Sequence, residues 1–226
     1  MRGLIDVRGR MAAAMARAGR DEGSVQLVAV SKRHSTESIR EAAAHGQRHF
    51  GENYVQELVE KAEALGDLDP QWHYIGGLQR NKVKHLIGRV ALLHGVDSLK
   101  LLEAIHRRSV AAGCVTPVLL QVNIDREPQK SGALPEAIPD IARQGSTLEG
   151  VSIRGLMCIP APQPTPEAVR PAFRALRRLA EDINALALPR VSMDALSMGM
   201  SSDFEVAIEE GATLIRVGTA IFGARV

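Results

Sequence analysis

The feature of this sequence that most constrains its fold is a regular alternation of short apolar segments with longer amphipathic segments. The apolar segments have the length and the Val, Leu and Ile content of buried strands, whereas the amphipathic segments have helical spacing. Such alternation is typical of parallel strands joined by right-handed helical crossovers. Eight units of this kind predict an α/β protein with a single (β/α)8 barrel, the TIM-barrel fold. The strand segments are 25–31, 49–51, 72–75, 91–96, 117–124, 151–159, 195–198 and 213–217, and the helix segments between them are 36–45, 54–65, 79–87, 98–112, 134–144, 166–186 and 203–210.

An open, doubly wound sheet is the alternative architecture. It is disfavoured because no GxGxxG follows the first strand segment and because eight units is the number that closes a barrel. The proline-rich stretch 159–166 resembles a linker, but strands and helices continue in the same rhythm on both sides of it. We therefore expect a long loop there and one domain spanning residues 1–226, with an additional amphipathic helix before the first strand.

Composition and charge argue against several classes of function. The net charge is only +2 and aromatic residues make up 3% of the chain, so nucleic-acid binding has little support. No apolar stretch approaches the roughly 20 residues of a membrane span, and the seven histidines lack metal-ligand spacing. The two cysteines resemble buried apolar residues of a reducing compartment, which predicts a cytoplasmic protein without a metal. The most basic stretch, interpreted as a solvated helix face, comprises Arg80, Lys82, Lys84, His85 and Arg89.

Lys32 stands at the carboxyl end of the first strand, where barrels carry their functional residues. Strand periodicity places it on the same face as Val28 and Val30, so all three point into the barrel if one of them does. A partly desolvated lysine favours the neutral amine, which attacks an aldehyde to form a Schiff base. The alternative is a lysine that extends to solvent, and the lysine alone favours that alternative.

The loop after the last strand, Gly218-Thr219, is a candidate phosphate site. Barrels commonly bind phosphate after strands seven and eight, where backbone N–H groups meet at a short helix. The loop after the seventh strand, residues 197–202, offers further hydroxyls for the same anion. Both loops are alternatively ordinary turns with capping residues.

Arg216 shares a strand face with Leu214 and Gly218, so it too should point inward. A buried arginine needs a partner, and a phosphate, a carboxylate or an aromatic nitrogen would serve. An internal ion pair with Glu52 or Asp194 is the alternative. A Schiff-base lysine together with a phosphate site suggests pyridoxal 5′-phosphate (PLP) as the bound aldehyde.

Six segments of the chain together resemble the pyridoxal phosphate homeostasis protein family, in order and from about Arg17 to Arg225. The resemblance implies a barrel similar to the N-terminal domain of fold-III alanine racemases, with PLP held as an aldimine on Lys32. It further implies that Arg216 faces the pyridine nitrogen and that Asn53 lies near the ring. The segments are LVAVSK, HFGENYVQE, WHYIGGLQRNK, NIDREPQKSG, RGLMCIPAP and LSMGMSSDFEVAIEEGATLIRVGTAIFGAR.

The resemblance also assigns the phosphate site and two further positions. Phosphate contacts fall on the loops that contain Ser197 and Ser201 and on Gly218 and Thr219. Lys130 corresponds to a family lysine on a mobile segment that is linked to cofactor handling. Gly77 replaces the proline that the family usually has, which should loosen that turn.

The function that the resemblance implies is intracellular PLP and vitamin B6 homeostasis without an evident reaction. An arginine at the pyridine nitrogen cannot accept a proton there, which leaves the ring a poor electron sink. Racemases tolerate such a ring, but they need a second acid or base, and neither Tyr54 nor Tyr74 has an assignable place for that role. We therefore expect no catalytic residue. The alternatives are a PLP-dependent amino-acid racemase, a Schiff-base aldolase, or a regulatory partner of PLP-dependent enzymes. For the favoured function we expect a monomer that contacts PLP-dependent apoenzymes transiently.

Overall fold

The protein is a closed barrel of eight strands in the order of the chain. A computed structural model describes residues 1–223, so residues 224–226 of the expected domain lie outside the described range. Each strand is parallel to both of its neighbours, and the last strand pairs with the first through Val28 opposite Arg216 and Ala29 opposite Val217. The closed order confirms the predicted (β/α)8 fold and rules out the open sheet.

The elements alternate along the whole described chain. The strands are β1 (Gln26–Val30), β2 (His49–Glu52), β3 (Gln71–Tyr74), β4 (Leu92–Val96), β5 (Thr116–Val122), β6 (Val151–Cys158), β7 (Val191–Ser197) and β8 (Leu214–Val217). The α-helices are α1 (Arg2–Arg17), α2 (Thr36–Ala44), α3 (Val55–Ala64), α4 (Leu99–Ala111), α5 (Ile138–Gly145), α6 (Arg170–Asn184), α7 (Phe204–Glu209) and α8 (Thr219–Phe222). Short 3-10 helices cover Gly66–Leu68, Arg80–His85, Pro135–Ala137 and Pro166–Val169.

Two apolar layers hold the barrel together. A large outer core lies between the sheet and the helices, and it includes the fully buried rings of Phe50, Phe173 and Phe204. A small inner cluster fills the barrel itself. Because side chains alternate across a strand, the inner cluster identifies the inward-facing positions of six of the eight strands. Its members are Val28, Leu92, Leu119, Met157 and Leu214, with Ala195 packed against them.

Helix α1 lies outside the barrel and packs on α7 and α8. Its approach to α8 is very close, since a Cβ added at Gly3 would lie 2.4 Å from the carbonyl oxygen of Ala220. After the helix ends, Arg20 donates hydrogen bonds to the carbonyl oxygens of Ile208 and Ala212. The first helix therefore supports the short helix that follows β8.

Two predicted elements differ from the structure. The segment after β3, predicted as a helix over 79–87, is a 3-10 helix over Arg80–His85, and its buried residues Val83 and Leu86 have the three-residue spacing of that helix. Strand β7 begins at Val191 rather than at Ala195. Its first half pairs with β6 across a register shift, which obscures the alternation in the sequence.

Several other expectations can be compared with the described residues. The basic stretch around Arg80 is exposed, as a solvated face should be. Cys158 is buried as expected, but Cys114 is only half-buried. Within residues 1–223, no helix combines the length and apolar character needed to cross a membrane. In the same range, no group of three or more His, Cys, Asp or Glu side chains is arranged to hold a metal ion.

Candidate functional site

A cavity at the carboxyl mouth of the barrel brings together most of the candidate residues. Its volume is about 270 Å³, close to the lower end of the roughly 300–1,000 Å³ that ligand sites occupy. Six of the seven candidate site residues line it, so the structure brings these six together in one place. The lining residues are Val30, Lys32, His34, Asn53, Ile75, Ile159, Met200, Ser201, Ser202, Arg216, Gly218 and Thr219.

Lys32 reaches the cavity because β1 ends just before it. Val28 belongs to the inner cluster and Val30 lines the cavity, so the inward face of β1 continues to the half-buried Lys32. The chain then turns at Arg33, whose φ of 62° is left-handed, and Ser35 caps α2 by accepting from the N–H of Ser38. The predicted inward orientation of Lys32 is therefore confirmed.

A buried ionic cluster behind the lysine holds this strand end. The ammonium group of Lys61 lies 2.8 Å from Glu52 and 2.7 Å from Glu57, and it donates to the carbonyl oxygen of Ser31 at 2.7 Å. The hydroxyl of Ser31 donates to the same Glu52 oxygen, and Glu57 accepts from the N–H of Arg33. Burial raises the pKa of Glu52 despite the adjacent ammonium group. The residues on both sides of Lys32 are thus fixed to β2 and α3.

Asn53 follows β2 directly and lines the cavity next to the lysine. Its Oδ1 atom is buried, and no residue within 1–223 donates a hydrogen bond to it. The backbone just after β3 approaches very closely here, because a Cβ added at Gly76 would lie 2.3 Å from the Asn53 carbonyl oxygen. A buried acceptor without a donor is costly in a folded protein, and a bound donor would remove that cost.

Arg216 lies on β8 and is only 4% exposed. It donates to the hydroxyl oxygen of Ser197 at 2.6 Å and to the carbonyl oxygen of Cys158 at 2.9 Å. Burial lowers the pKa of its guanidinium, which the nearby charge of Asp203 partly offsets. The arginine is therefore a buried hydrogen-bond donor held from two sides, and it also lines the cavity.

The alternative internal ion pair for Arg216 is wrong. Glu52 pairs with Lys61, and Asp194 lies 3.5 Å from Arg154 on the outside of the barrel. Strand alternation explains the latter, since Asp194 is exposed while Ala195 packs against the inner cluster.

The expected phosphate side is formed by the loops after β7 and β8. Ser201, Gly218 and Thr219 all line the cavity, and the Ser201 hydroxyl accepts from the N–H of Ala220 in α8 at 3.4 Å. A Cβ added at Gly218 would lie 3.1 Å from the carbonyl oxygen of Val30, so the loop after β8 packs tightly against the end of β1. The arrangement offers hydroxyls and backbone N–H groups that suit an anion.

Ser197 departs from the expectation that it touches phosphate. It is completely buried and lies outside the set of residues that line the cavity. Its hydroxyl is engaged by Arg216 at 2.6 Å and by Nδ1 of His94 at 2.9 Å. The reason is the alternation of side chains along a strand. Ser197 is the last residue of β7 and faces into the barrel, below the loop that contains Ser201.

Some residues of the cavity were missed in the sequence. His34 stacks on Phe222 of α8 with ring centroids 4.9 Å apart, which joins the loop after β1 to the last helix. The loops that bring His34 and Phe222 together are far apart in the chain, so local spacing gives no signal for their contact.

Lys130, which the family resemblance singles out, does not line the cavity. It pairs with Glu127 at 2.7 Å and donates to the carbonyl oxygen of Ile159 at the cavity rim.

Comparison with known proteins agrees with this architecture. The alanine racemase N-terminal domain family matches residues 7–226. The pyridoxal phosphate homeostasis protein of Aquifex aeolicus (strain VF5) is 46% identical over 219 residues, which cover 96% of this chain and 94% of that protein. A structure of PipY from Synechococcus elongatus PCC7942 with PLP bound is 41% identical with a TM-score of 0.84, and covers 96% of this chain and 100% of its own.

More distant structures share the fold alone. The alanine racemase of Clostridium difficile 630 is 12% identical with a TM-score of 0.75, and the match covers 97% of this chain but 57% of the racemase. The relatives at 40% identity and above match over almost their whole length. The chain therefore belongs to the pyridoxal phosphate homeostasis protein family, which is built on the alanine racemase N-terminal domain.

Proposed function

We propose that this protein binds PLP in the Lys32 cavity as a single cofactor-binding domain over residues 1–226, and that it holds and releases the cofactor without converting a substrate. The observation that carries the proposal is the convergence of an inward-facing lysine, a buried arginine donor and an anion-suited loop pair in one cavity of about 270 Å³. The bound PLP in PipY and the names of the relatives point to the same ligand.

The residues of the cavity fit the chemical groups of PLP. The Asn53 Oδ1 atom has no hydrogen-bond donor within residues 1–223, and the phenolic hydroxyl of the cofactor ring or an ordered water would supply one. Arg216 can donate to the ring nitrogen while Ser197 and Cys158 hold its other N–H groups. Ser201, Gly218 and Thr219 would receive the phosphate. When bound, PLP supplies an aldehyde and a conjugated ring.

Lys32 would provide the covalent tether. Its neutral amine attacks the aldehyde carbon, and loss of one water leaves a carbon–nitrogen double bond. The reverse reaction, addition of water and departure of the amine, releases the cofactor unchanged. The ionic cluster of Lys61, Glu52 and Glu57 fixes the backbone on both sides of Lys32, so the amine is presented without a large conformational change.

Two features of the site bear on the racemase alternative. Arg216 is a donor and cannot take a proton from the ring nitrogen, so the ring remains unprotonated. Tyr54 and Tyr74, the only tyrosines, line a neighbouring cavity beyond Asn53 rather than that of Lys32. The Tyr74 hydroxyl donates to the carbonyl oxygen of Gly77, and burial raises its pKa to about 12. These features favour a holding protein over the racemase or aldolase alternatives.

The proposal extends to location and partners. The free cysteines Cys114 and Cys158 suit a reducing compartment, so we place the protein in the cytoplasm. Large exposed apolar side chains such as Ile5, Val110 and Leu186 lie on different elements, which favours a monomer. Transient contact with PLP-dependent apoenzymes would let the cofactor pass on, with no nucleic acid or membrane involved.

The test is binding and release measured apart from any turnover. Cofactor-free protein is dialysed against PLP, and its visible absorbance, bound PLP and delivery to a PLP-dependent apoenzyme are recorded. Lys32→Ala should lose the visible band, whereas Lys84→Ala, at an exposed position, should retain it. Racemisation of alanine or cleavage of a sugar phosphate above the Lys32→Ala background would instead establish an enzyme.

A further inference from the structure

Three histidines form a continuous hydrogen-bonded chain through the interior of the barrel. His49 Nδ1 lies 2.9 Å from His73 Nε2, and His73 Nδ1 lies 2.9 Å from His94 Nε2. His94 Nδ1 lies 2.9 Å from the hydroxyl of Ser197, which accepts from Arg216. The chain therefore ends at the arginine that lines the cavity.

The barrel geometry produces this chain from three inward positions on adjacent strands. His49 opens β2 and is half-buried, His73 lies two residues into β3, and His94 lies two residues into β4. Because Gly51 pairs with His73 and His73 pairs with Leu92, each histidine stands higher in the barrel than the one before. The chain rises from the amino-terminal end of β2 to the carboxyl end of β7.

Arg216 sets the direction of every hydrogen bond in the chain. Within residues 1–223, the Ser197 hydroxyl has hydrogen bonds to Arg216 and to Nδ1 of His94. A guanidinium has only donors, so the Ser197 oxygen accepts from Arg216, and Nδ1 of His94 is the acceptor left for the hydroxyl proton. A neutral imidazole that accepts at Nδ1 carries its proton on Nε2. His94 then donates to Nδ1 of His73, and His73 donates to Nδ1 of His49. One arrangement of protons satisfies the whole chain.

The two buried rings, His73 and His94, favour the neutral form. Burial lowers the pKa of His73 to about 3, and it lowers the pKa of His94 well below its usual value. The charges that act on the two rings come from Arg216 on His94 and from the neighbouring histidines. Transfer of a proton along the chain to solvent would leave a buried Ser197 alkoxide or a neutral Arg216, and both are unfavourable in this interior. The chain is thus a fixed array of dipoles and does not conduct protons.

We propose that His94, supported by His73 and His49, is a positioning residue for Arg216 that acts through Ser197. By accepting the Ser197 proton, His94 leaves the hydroxyl oxygen free to hold Arg216 and makes it a stronger acceptor. Together with the Cys158 carbonyl, this bond keeps the arginine in one orientation at the cavity. The effect of His94 on PLP binding rests on the proposed PLP site. The arrangement of protons in the histidine chain does not, because it exists without any ligand.

Two histidines outside the hydrogen-bonded chain serve as internal standards for a direct test of the proton positions. The N–H of Gly150 donates to Nδ1 of His106 at 3.0 Å, which fixes the proton of a neutral His106 on Nε2. Nδ1 of His45 lies 2.9 Å from the carbonyl oxygen of Glu41, a pure acceptor, so His45 carries its proton on Nδ1. Both proton positions are therefore represented within one protein.

The decisive measurement is a long-range nitrogen–proton NMR spectrum of the whole cofactor-free protein, labelled with ¹⁵N at histidine, at a pH of about 8.5 where ordinary imidazoles are neutral. His49, His73 and His94 should show the His106 pattern, with the proton on Nε2. A proton on Nδ1 of His73 or His94, as in His45, overturns the inference. In Ser197→Ala, His94 should lose its single pattern.

The positioning role is tested by PLP binding to two variants at one position. His94→Asn retains an acceptor close to the place of Nδ1, whereas His94→Leu does not. We expect His94→Leu to raise the dissociation constant for PLP about tenfold, the effect of one lost hydrogen bond, and His94→Asn to restore most of it. Equal binding by both variants and by the wild type overturns the role. If the wild type binds no PLP, the proposed function fails, but the NMR result on the proton positions still stands. The NMR result also stands if His94→Leu fails to fold, because it is measured on the wild-type protein.

Discussion

The ammonium group of Lys61 lies 2.8 Å from the carboxylate of Glu52 in an ion pair that is almost completely buried behind Lys32. The same ammonium group also holds the carbonyl oxygen of Ser31, the residue just before Lys32. The position of the candidate nucleophile thus depends on a second lysine that never reaches the cavity. The two lysines have different tasks, one structural and one chemical, and they can be tested separately.

Lys61→Met should strongly destabilise the protein, because it leaves the Glu52 carboxylate buried without a countercharge. We expect the free energy of unfolding in urea to fall by about 3–5 kcal/mol. Replacing Glu52 as well, in the double variant Lys61→Met with Glu52→Gln, should recover part of that loss. Lys84→Met, at an exposed position, is the matched control. A loss below about 1 kcal/mol, as for a surface pair, would contradict this account.

The histidine chain predicts that stability falls in mild acid. His73 has a folded pKa of about 3 against 6.5 in the unfolded chain, so between these values only the unfolded chain binds the proton. The free energy of unfolding therefore decreases as the pH drops below 6.5, by about 2 kcal/mol between pH 7 and pH 5 for His73 alone. His94, whose pKa burial also lowers, acts in the same direction.

The control for this pH effect is a comparison of slopes in urea denaturation at several pH values. His73→Asn should give a shallower decline than the wild type, whereas His85→Asn, at an exposed position, should reproduce the wild-type slope. If the free energy of unfolding declined with pH equally in the wild type and in His73→Asn, the pKa of His73 would be the same in the folded and unfolded chain, which would contradict this prediction.

The neighbouring glycines Gly76 and Gly77 should respond very differently to alanine. A Cβ at Gly76 would lie 2.3 Å from the carbonyl oxygen of Asn53, whereas a Cβ at Gly77 meets nothing within 4 Å. We expect Gly76→Ala to lower the free energy of unfolding by about 1–3 kcal/mol, the range for overpacking, and Gly77→Ala to leave it equal or slightly higher. Thermal unfolding of the two variants measures this, and equal effects would contradict the close approach.

Asn53→Ala should weaken PLP binding more than it weakens the fold. The buried Oδ1 atom has no donor within residues 1–223, so its removal breaks no hydrogen bond at that atom. We expect the dissociation constant for PLP to rise about tenfold and the unfolding free energy to change by less than about 1 kcal/mol. Asn81→Ala, at an exposed position of the 3-10 helix, is the control. A large loss of stability with unchanged binding would assign Asn53 to the fold instead.

The architecture could be predicted from the sequence because the eight repeated units and the alternation of side chains along each strand are local patterns. That alternation predicted that Lys32 and Arg216 point into the barrel, and both line the cavity. The same alternation indicates that the histidines point inward, since His49 and Gly51, like Leu92 and His94, occupy alternate positions of one strand. A histidine chain could be predicted only by comparing three strands together, because a single inward histidine indicates no chain.

Contacts between distant strands were beyond reach of the sequence. Nothing local indicates that Arg216 selects Ser197 and Cys158 rather than Glu52 or Asp194, because barrel stagger decides which side chains meet. The same stagger places Ser197 below the cavity instead of at the phosphate loop. The first half of β7 gives no clear strand pattern in the sequence for a similar reason, a register shift against β6.

The most direct test of the central claim is to locate the covalent bond to PLP. Protein loaded with PLP is treated with borohydride, which reduces the carbon–nitrogen double bond to a stable amine, and the modified peptide is found by mass. We predict modification at Lys32, and its loss in Lys32→Ala. Modification chiefly at Lys61, Lys130 or surface lysines, or unchanged labelling of Lys32→Ala, would contradict it.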